Sequence, residues 1–449
     1  MRWIAVIDIG KTNAKVALVD LATQGEVDVV TTPNRVLQDG PYPHFDTDGL
    51  WRFVQDGLRQ MAAAHVIEGI SVTTHGACAA WLAADGALAC QVLDYEHDGP
   101  DAVRAGFEPL RPPFAKTGSP ALPHGLNLGA QLHWQILRDS GLVQRAAQIV
   151  TWPQYWGFLL TGVAACDVCS LGCHTDLWEP ATGRFSPLVA TLGLQDKFAP
   201  ARKPGTMLGV LTLAMQVALG MGPVPVLVGI HDSNASLLPH LLARQAPFAV
   251  VSTGTWVIAM AMGAEPVSLN PARDVLVNVN ALGQAVPSAR FMGGREYEMI
   301  RAGAAAVATA TDADEVLSRG LMLLPSVMPD SGPFQGRAHE WLGDARSVAE
   351  TEVALGYYLA LMTAECMDCI GAQGPVLVEG PFGENPWYCA MLAAATGRAV
   401  ERSDARTGTA VGAALLFSNG RQGEVAGATV HPDARLKAYA AAWRAAVTA

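Results

Sequence analysis

The chain is poor in charge. Asp, Glu, Lys and Arg make up 16% of its 449 residues, and the balance is acidic, −11 at pH 7. A phosphate backbone is bound by a basic face, so this composition argues against nucleic-acid partners. Cysteine is sparse too, 8 in the whole length, and no disulfide framework is implied. One stretch, "VLTLAMQVALGMGPVPVLVGI" (Val210 to Ile230), approaches the length of a membrane span. Gly220, Gly222, Pro223 and Pro225 cut it into a short helix, a loop and a strand, so no membrane partner is expected. The opening "MRWIAVIDIG" has too short an apolar run before Asp8 to read as a secretory signal, which points to reduced thiols and a cytoplasmic location. What is abundant is apolar surface, 50% of residues. A chain this long exceeds what one core usually serves, so two or three domains and a small-molecule role are expected.

The pattern along the chain is α/β. Trp3 to Asp8 and Lys15 to Val19 read as two strands joined by a turn, with a third near Val27 to Thr31. Trp51, Val54, Leu58 and Met61 fall at helical spacing. "GISVTTHG" is a strand running into a loop, and "GALACQVLDYEHDG" reads as another. Helices are expected around Leu128 to Leu137 and Trp156 to Leu160, the latter stopping at Thr161-Gly162. "VPVLVGIHDSNASLLPHL" reads as strand, turn and helix. The plan then restarts: "FAVVSTGTWVIAM" (Phe248 to Met260) is again strand, small polar turn, strand. Later "GPVLVEGPFGENPWYCAMLAAATG" is strand, turn and helix, and "DARTGTAVGAALL" is a small-residue helix.

The opening "AVIDIGKTNAKVALVD" carries a carboxylate, Asp8, in an apolar run, followed by Gly10, Lys11, Thr12 and Asn13. An unpaired buried carboxylate is costly. Gly-Lys-Thr resembles the tail of a phosphate-binding loop, but the glycine needed five residues earlier is absent, since Ala5 stands there. In the second hairpin Ser252, Thr253, Gly254 and Thr255 take the place of Gly10 to Asn13. Turns of this kind offer N–H groups and hydroxyls to phosphate oxygens. Two of them in one chain suggest a duplicated domain gripping an oligophosphate in the cleft between its halves.

These residues are similar to a known family. Asp8-Ile9-Gly10-x-Thr12, "GIHDSNA" (Gly229 to Ala235), "STGTW" (Ser252 to Trp256), "LLTGVAACDVCSLGCHTDLW" (Leu159 to Trp178) and "VEGPFGENPW" (Val378 to Trp387) resemble, in order, the motifs of the FGGY carbohydrate kinases. The sugar-side words "TTHGACAAW" and "VLDYEHDGP" look nearer to the L-fuculose and L-rhamnulose kinase branch than to glycerol or xylulose kinases. The resemblance implies two ribonuclease-H-like domains of the actin/hexokinase/Hsp70 type with an interdomain cleft, divided as 1–243 on the sugar side and 244–449 on the nucleotide side. It implies phosphorylation of a primary hydroxyl of a small sugar by ATP with Mg²⁺. Asp232 takes the place of the catalytic base. Asp8, with Asp232, would serve the metal through water. Gly10, Lys11, Thr12, Asn13 and Ser252 to Thr255 stand at phosphate contacts, and Gly380, Pro381 and Asn385 on the adenosine side. His75, Gly76, Tyr95, Glu96, His174 and His231 stand on the sugar side. Pro381 replaces a family glycine and removes an N–H from that turn, and Cys173 stands in place of a serine.

Each assignment has a plainer counterpart. Asp232 precedes a helix, where Asp commonly caps, and Asp8 follows a strand, where Asx turns are common. Lys11 reads equally as a solvated turn lysine and Lys15 as a strand-surface charge. Trp152 and Tyr155 are spaced as core. Cys166, Cys169, Cys173 and His174 have a metal-ligand composition, yet structural zinc sites usually draw their ligands from separated segments. Cys366 and Cys369 lie in an apolar helical pattern and read as core. The rivals to a ketose kinase are a glycerol, D-xylulose or D-ribulose kinase, a chaperone-like ATPase of the same superfamily, and a metal-dependent oxidoreductase using the cysteine cluster. A homodimer is the usual assembly for a soluble enzyme of this size.

Overall fold

The computed structural model describes residues 2–403, 408–418 and 427–448. Strands β1 (Trp3–Ile9) and β2 (Asn13–Asp20) pair antiparallel, with Asp8 opposite Lys15 and Ile9 opposite Ala14. The apolar run of β1 is buried on both faces, as a central strand requires. Strand β3 (Gly25–Pro33) continues the meander at the edge, where Val27 and Val29 stay exposed. Helix α1 (Thr47–Ala64) starts at Asp46, whose carboxylate accepts from Gly49 N, and it buries Leu50, Val54, Leu58 and Met61 along one stripe. Strand β4 (Gly69–Thr74) returns parallel to β1.

Helices α2 (Trp152–Thr161) and α3 (Val168–Leu171) follow, the first ending at Gly162 in the left-handed region. The apolar stretch from Val210 divides as its glycines and prolines predict. Strand β5 (Met207–Val210) is followed by a short helix and then by β6 (Pro225–Leu227) and β7 (Ile230–His231). Among the described residues no helix is long and apolar enough to cross a membrane. Helix α4 (Asp232–Ala243) begins directly after β7. The sheet order is β5-β6-β4-β1-β2-β3, with β7 also on β4. The strand expected in "GALACQVLDYEHDG" does not form. Only isolated bridges remain, His44 to Leu93 and Leu82 to Leu88, and the Gln91 carbonyl is taken by the Tyr42 hydroxyl at 2.7 Å.

The second half repeats the plan. Strands β8 (Phe248–Thr253), β9 (Val257–Met262), β10 (Val275–Val279) and β11 (Ala285–Phe291) precede helices α5 (Gly293–Arg301) and α6 (Val348–Cys369). Then come β12 (Val376–Glu379), α7 (Pro386–Thr396), β13 (Val400–Arg402), α8 (Thr409–Ala414) and β14 (Thr429–Val430). This sheet runs β10-β11-β9-β8-β12-β13-β14. The two sheets share one kernel. β3-β2-β1 and β11-β9-β8 are antiparallel meanders, and β1-β4-β6 and β8-β12-β13 are parallel triplets. The doubled α/β fold expected from the two hairpins is therefore present.

By packing, residues 2–243, 277–285 and 408–418 form one unit, and 244–276, 286–403 and 427–448 form the other. Within the first unit α8 lies against α4 so closely that only glycine fits at Gly412, where a Cβ would sit 1.9 Å from the Ala235 carbonyl oxygen. Residues 404–407 of the expected small-residue helix lie outside the described residues.

Candidate active site

The first turn is built by its own backbone. Gly10 N donates to Asn13 O at 2.9 Å, and Asn34 anchors the turn from β3's far end, donating from its amide N–H to Thr12 O and from Nδ2 to Gly10 O. Thr12 and Asn13 are left exposed, with Asn13 Nδ2 donating to the Thr12 hydroxyl at 3.2 Å. Asp8, at the end of β1, is buried. Burial pushes its carboxyl up, and this is opposed by a hydrogen bond from the Thr409 hydroxyl to Oδ2 and by the Lys15 ammonium. Lys15 Nζ is 3.7 Å from Asp8 Oδ2 and 2.8 Å from Glu26 Oε1. Lys15 is thus a partner of Asp8 across the hairpin, not the free surface charge that its spacing suggested.

Asp232 is the first residue of α4, and its side chain is 30% exposed. Oδ1 accepts from Ser233 N at 2.6 Å and faces His231 Nε2 at 3.3 Å. The negative charges of Asp232 and Asp8 act on each other, raising the Asp8 carboxyl further. A carboxylate at a helix start, reachable by solvent and oriented by a histidine, can take a proton from a hydroxyl.

The His231 ring rests on Gly76, where a Cβ would meet Nε2 at 2.7 Å, so the backbone at Gly76 gives the ring its place. Burial alone would lower the His231 pKa. Cys173 and Asp232 act the other way and raise it above the ordinary imidazole range. His75 is the opposite case. Burial lowers its pKa to about 4, and the neutral ring bonds through Nδ1 to Gly76 O at 2.8 Å. Its Nε2 is buried with no hydrogen-bond partner, and so is Trp152 Nε1, whose ring centroid is 6.3 Å from that of His75. Phe45 and Tyr95 complete the aromatic wall, 5.1 and 5.3 Å from His75. Buried polar atoms without partners beside an aromatic wall fit a ligand that carries hydroxyls and an apolar face.

Lys11 is not directed at the exposed part of its turn. Its ammonium is paired with Asp94, lies 3.1 Å from Glu96 Oε2, and stands 4.9 Å from the centre of the Tyr95 ring. The structure places it with Tyr95 and Glu96 instead of with the phosphate turn. His174 is held in the left-handed region, φ 42°, with Nδ1 on Leu126 O at 2.7 Å. Tyr155 and Trp152 stack with ring centroids 5.6 Å apart and are buried, Tyr155 as core.

The second unit carries the other turn. Gly254 and Thr255 are exposed, while the Thr253 hydroxyl is engaged, donating to Glu379 O at 2.5 Å and accepting from Phe382 N at 3.1 Å. Thr253 thereby ties the hairpin to the stretch that follows β12. Pro381 is the first residue of a 3₁₀ turn, Pro381–Glu384, a position where a missing N–H leaves nothing unsatisfied. The proline therefore does not impair this turn as its sequence context suggested. Asn385 caps α7, Oδ1 accepting from Trp387 N and Tyr388 N.

Among the described residues no three His, Cys, Asp or Glu side chains are arranged to hold a metal ion. Cys166, Cys169, Cys173 and His174 are not brought together as such a group, and Cys166 and Cys169 are buried, with both thiols pushed up by burial. Mg²⁺ usually keeps several waters and takes one or two carboxylates plus substrate phosphates. Asp8 and Asp232, two oxygen donors beside an exposed turn, fit that demand. Sequence reasoning missed Thr409, Asn34 and the Lys15 contact. Only Lys15 had a signal, its cross-strand place opposite Asp8 in a hairpin.

Residues 3–239 match the N-terminal domain of the FGGY family of carbohydrate kinases, and residues 245–425 match the carbohydrate kinase FGGY C-terminal domain. A solved carbohydrate kinase from Novosphingobium aromaticivorans is 38% identical, covers 99% of this chain and 100% of that one, and superposes with a TM-score of 0.91. A rhamnulokinase from Bacteroides thetaiotaomicron is 27% identical over 58% of this chain and 54% of that protein. An L-fuculokinase from Salmonella typhi is 25% identical over 57% of this chain and 56% of its own. The chain thus spans about half the length of the curated relatives it matches. A xylulose kinase from Lactobacillus acidophilus, 15% identical with a TM-score of 0.78, shares the fold. With both halves matched in order and the doubled sheet in place, this chain belongs to the FGGY family of carbohydrate kinases.

Proposed function

We propose that the protein transfers the γ-phosphoryl group of ATP to a primary hydroxyl of a small ketose, of the kind exemplified by L-fuculose and L-rhamnulose. The observation that carries this reading is Asp232. Its carboxylate is partly exposed, set at a helix start and faced by the His231 ring 3.3 Å away. The sugar hydroxyl delivers its proton to Asp232 as the oxygen attacks, and general-base help of this kind is worth about a hundred- to ten-thousand-fold. His231 Nε2, 3.3 Å from Oδ1, orients the Asp232 carboxylate. Neutral His75 and Trp152 offer unpartnered N–H or ring nitrogen atoms to sugar hydroxyls, and the Tyr95 and Phe45 rings cover an apolar face. Thr12 and Asn13 offer N–H and hydroxyl groups to phosphate oxygens, and the Gly254–Thr255 turn offers groups of the same kind within its own unit. Mg²⁺, when bound with the nucleotide, neutralises the phosphate charge that develops during transfer. Asp8, and Asp232 with it, would hold that ion through water. Support for a deoxyketose comes from the relatives named rhamnulokinase and L-fuculokinase.

An ADP-release assay over a panel of ketoses and polyols tests this. L-Fuculose or L-rhamnulose should give the highest kcat/KM. Preference for glycerol, D-xylulose or D-ribulose would move the protein to another branch of the family. ATP hydrolysis indifferent to every sugar would favour an ATPase without a sugar substrate.

A further inference from the structure

The first turn is oriented from outside itself, by one residue. Asn34 directly follows β3 and is 8% exposed. It donates twice, from its main-chain N–H to Thr12 O at 2.9 Å and from Nδ2 to Gly10 O at 2.8 Å. A peptide unit is planar and trans, so its C=O and its N–H point in opposite directions. With the Gly10 and Thr12 carbonyls drawn toward Asn34, the N–H groups of Lys11 and Asn13 are turned away from it. The bond within the turn, Gly10 N to Asn13 O at 2.9 Å, uses neither of them. Lys11 thus has a donor in the turn even though its ammonium is committed to Asp94.

Asn34 does not owe its own place to the turn. Pro33 before it ends β3, and Arg35 O after it accepts from Asp46 N at 3.1 Å. Val36–Leu37 then pairs antiparallel with His44–Phe45. The other atom of the amide separates function from stability. Oδ1 is buried and meets no hydrogen-bond donor. A buried acceptor without a donor works against folding, so asparagine is a poor choice here for stability alone.

We propose that Asn34 is a positioning residue for the phosphates of the nucleotide. By holding the Gly10 and Thr12 carbonyls on its own side of the turn, it keeps the Lys11 and Asn13 N–H groups directed at phosphate oxygens. This rests on the kinase reading above for what the turn binds, but not for the identity of the sugar. Asn34 acts through the peptide units it orients and needs no contact with substrate. Without the Nδ2 donor the Gly10–Lys11 unit is free to rotate, because Gly10 is partly exposed and its carbonyl meets water instead. A glycine there leaves that rotation unhindered. The Thr12–Asn13 unit keeps its bond, which comes from the main chain and survives every substitution except proline.

The test is isothermal titration of the full chain with Mg²⁺ and a non-hydrolysable ATP analogue, in the absence of sugar. Asn34→Ala removes the donor and the orphaned acceptor together. Its melting temperature should stay within about 3 °C of the parent, since the lost bond is offset by relief of the unmet oxygen. Affinity for the analogue should fall about tenfold, as for loss of one hydrogen bond to a charged group. Asn34→Asp keeps the shape and sets a carboxylate against Gly10 O, so its loss should be at least as large. In steady-state turnover the KM for ATP should rise by a similar factor while the KM for the sugar stays within about twofold. Parental affinity for the analogue in either variant would overturn the proposal. So would an affinity loss matched by an equal rise in sugar KM and a melting temperature lower by more than about 6 °C. Asn34 would then only hold the fold together. If no sugar supports ADP release yet both variants bind the analogue weakly, the kinase reading fails and the positioning role stands.

Discussion

The Thr409 hydroxyl donates to Oδ2 of Asp8, a residue 401 positions earlier in the chain. The bond joins a six-residue helix near the far end of the sequence to the end of the first strand. It is one of the influences that oppose the upward push of burial on the Asp8 carboxyl. Thr409→Val keeps the shape and removes the donor. The Asp8 pKa should then rise, because a lowering influence is lost, and the acid limb of the pH–turnover profile should move to higher pH. Urea unfolding should show a loss of about 1–2 kcal/mol, and the Mg²⁺ concentration for half-maximal turnover should increase. An unshifted acid limb would mean that Asp8 ionisation does not limit the reaction.

Asp232→Asn tests the base. Asn keeps the volume and can still accept from Ser233 N, so the variant should fold and bind nucleotide normally. Sugar phosphorylation should fall by about a hundred- to ten-thousand-fold. Isothermal titration with a nucleotide analogue and steady-state turnover check the two halves of this statement. Turnover near that of the parent would remove Asp232 from the mechanism.

Gly412 is the contact point between α8 and α4, the helices that carry Thr409 and Asp232. A Cβ there would sit 1.9 Å from a carbonyl oxygen, so the backbone itself must move. Gly412→Ala should destabilise by about 1–3 kcal/mol as an overpacking substitution. It should also reduce turnover, because the displacement is passed to both carboxylates. Chemical unfolding midpoints with unchanged m-values would report the first effect. A variant as stable as the parent would show that the two helices separate without penalty.

How much of this was legible in the sequence depends on chain distance. The hairpins, the helix stripe of Leu50, Val54, Leu58 and Met61, and the restart of the plan at Phe248 are local patterns, and each formed as its periodicity implies. Asp8 and Asp232 were legible because a carboxylate in an apolar strand and one at a strand–helix junction are locally anomalous. Thr409 was not, since nothing in "TAVGAA" announces a partner 401 residues away. Lys11 stayed open in the sequence for a related reason. A glycine-flanked lysine looks the same whether it faces phosphates or folds back, and only the placement of Asp94 and Glu96 decides. The strand expected near Leu93 shrinks to an isolated bridge with His44, in which Phe45 N donates to Val92 O and Asp94 N to Pro43 O, while the Tyr42 hydroxyl takes the Gln91 carbonyl.

Glu296 in α5 gives a prediction independent of catalysis. Burial raises its carboxyl to about 7, and Oε1 and Oε2 accept from Met328 N at 3.0 Å and the Tyr358 hydroxyl at 2.9 Å. A folded pKa above the unfolded value of 4.5 means that the native state holds the proton more tightly. The resulting stability is fully present below pH 4.5 and is lost as pH rises through 7, by about 3 kcal/mol in all. Glu296→Gln cannot ionise, retains an acceptor for Met328 N, and meets the Tyr358 hydroxyl with an amide donor, so that hydroxyl must turn from donor to acceptor. It should be more stable than the parent at pH 8 and should flatten the fall between pH 4.5 and 7. Equal pH dependence of the two melting temperatures would place the titration elsewhere.

Lys11 separates two assignments that the sequence left together. If its ammonium served phosphates, Lys11→Met would raise the KM for ATP. In the structure its charge is balanced by Asp94, whose side chain is only 9% exposed, and by Glu96, 3.1 Å away, with the Tyr95 and Phe45 rings beneath it. Methionine leaves Asp94 without its cation in a poorly hydrated place, and the carboxylate must then turn toward water. That movement disturbs Tyr95 and the aromatic wall against His75. The KM for the sugar should therefore rise about tenfold, the equivalent of 1.4 kcal/mol, while the KM for ATP stays within about twofold because Thr12 and Asn13 are untouched. Varying each substrate at saturation of the other gives both numbers. A change confined to ATP would return Lys11 to the phosphate turn and detach it from the sugar side.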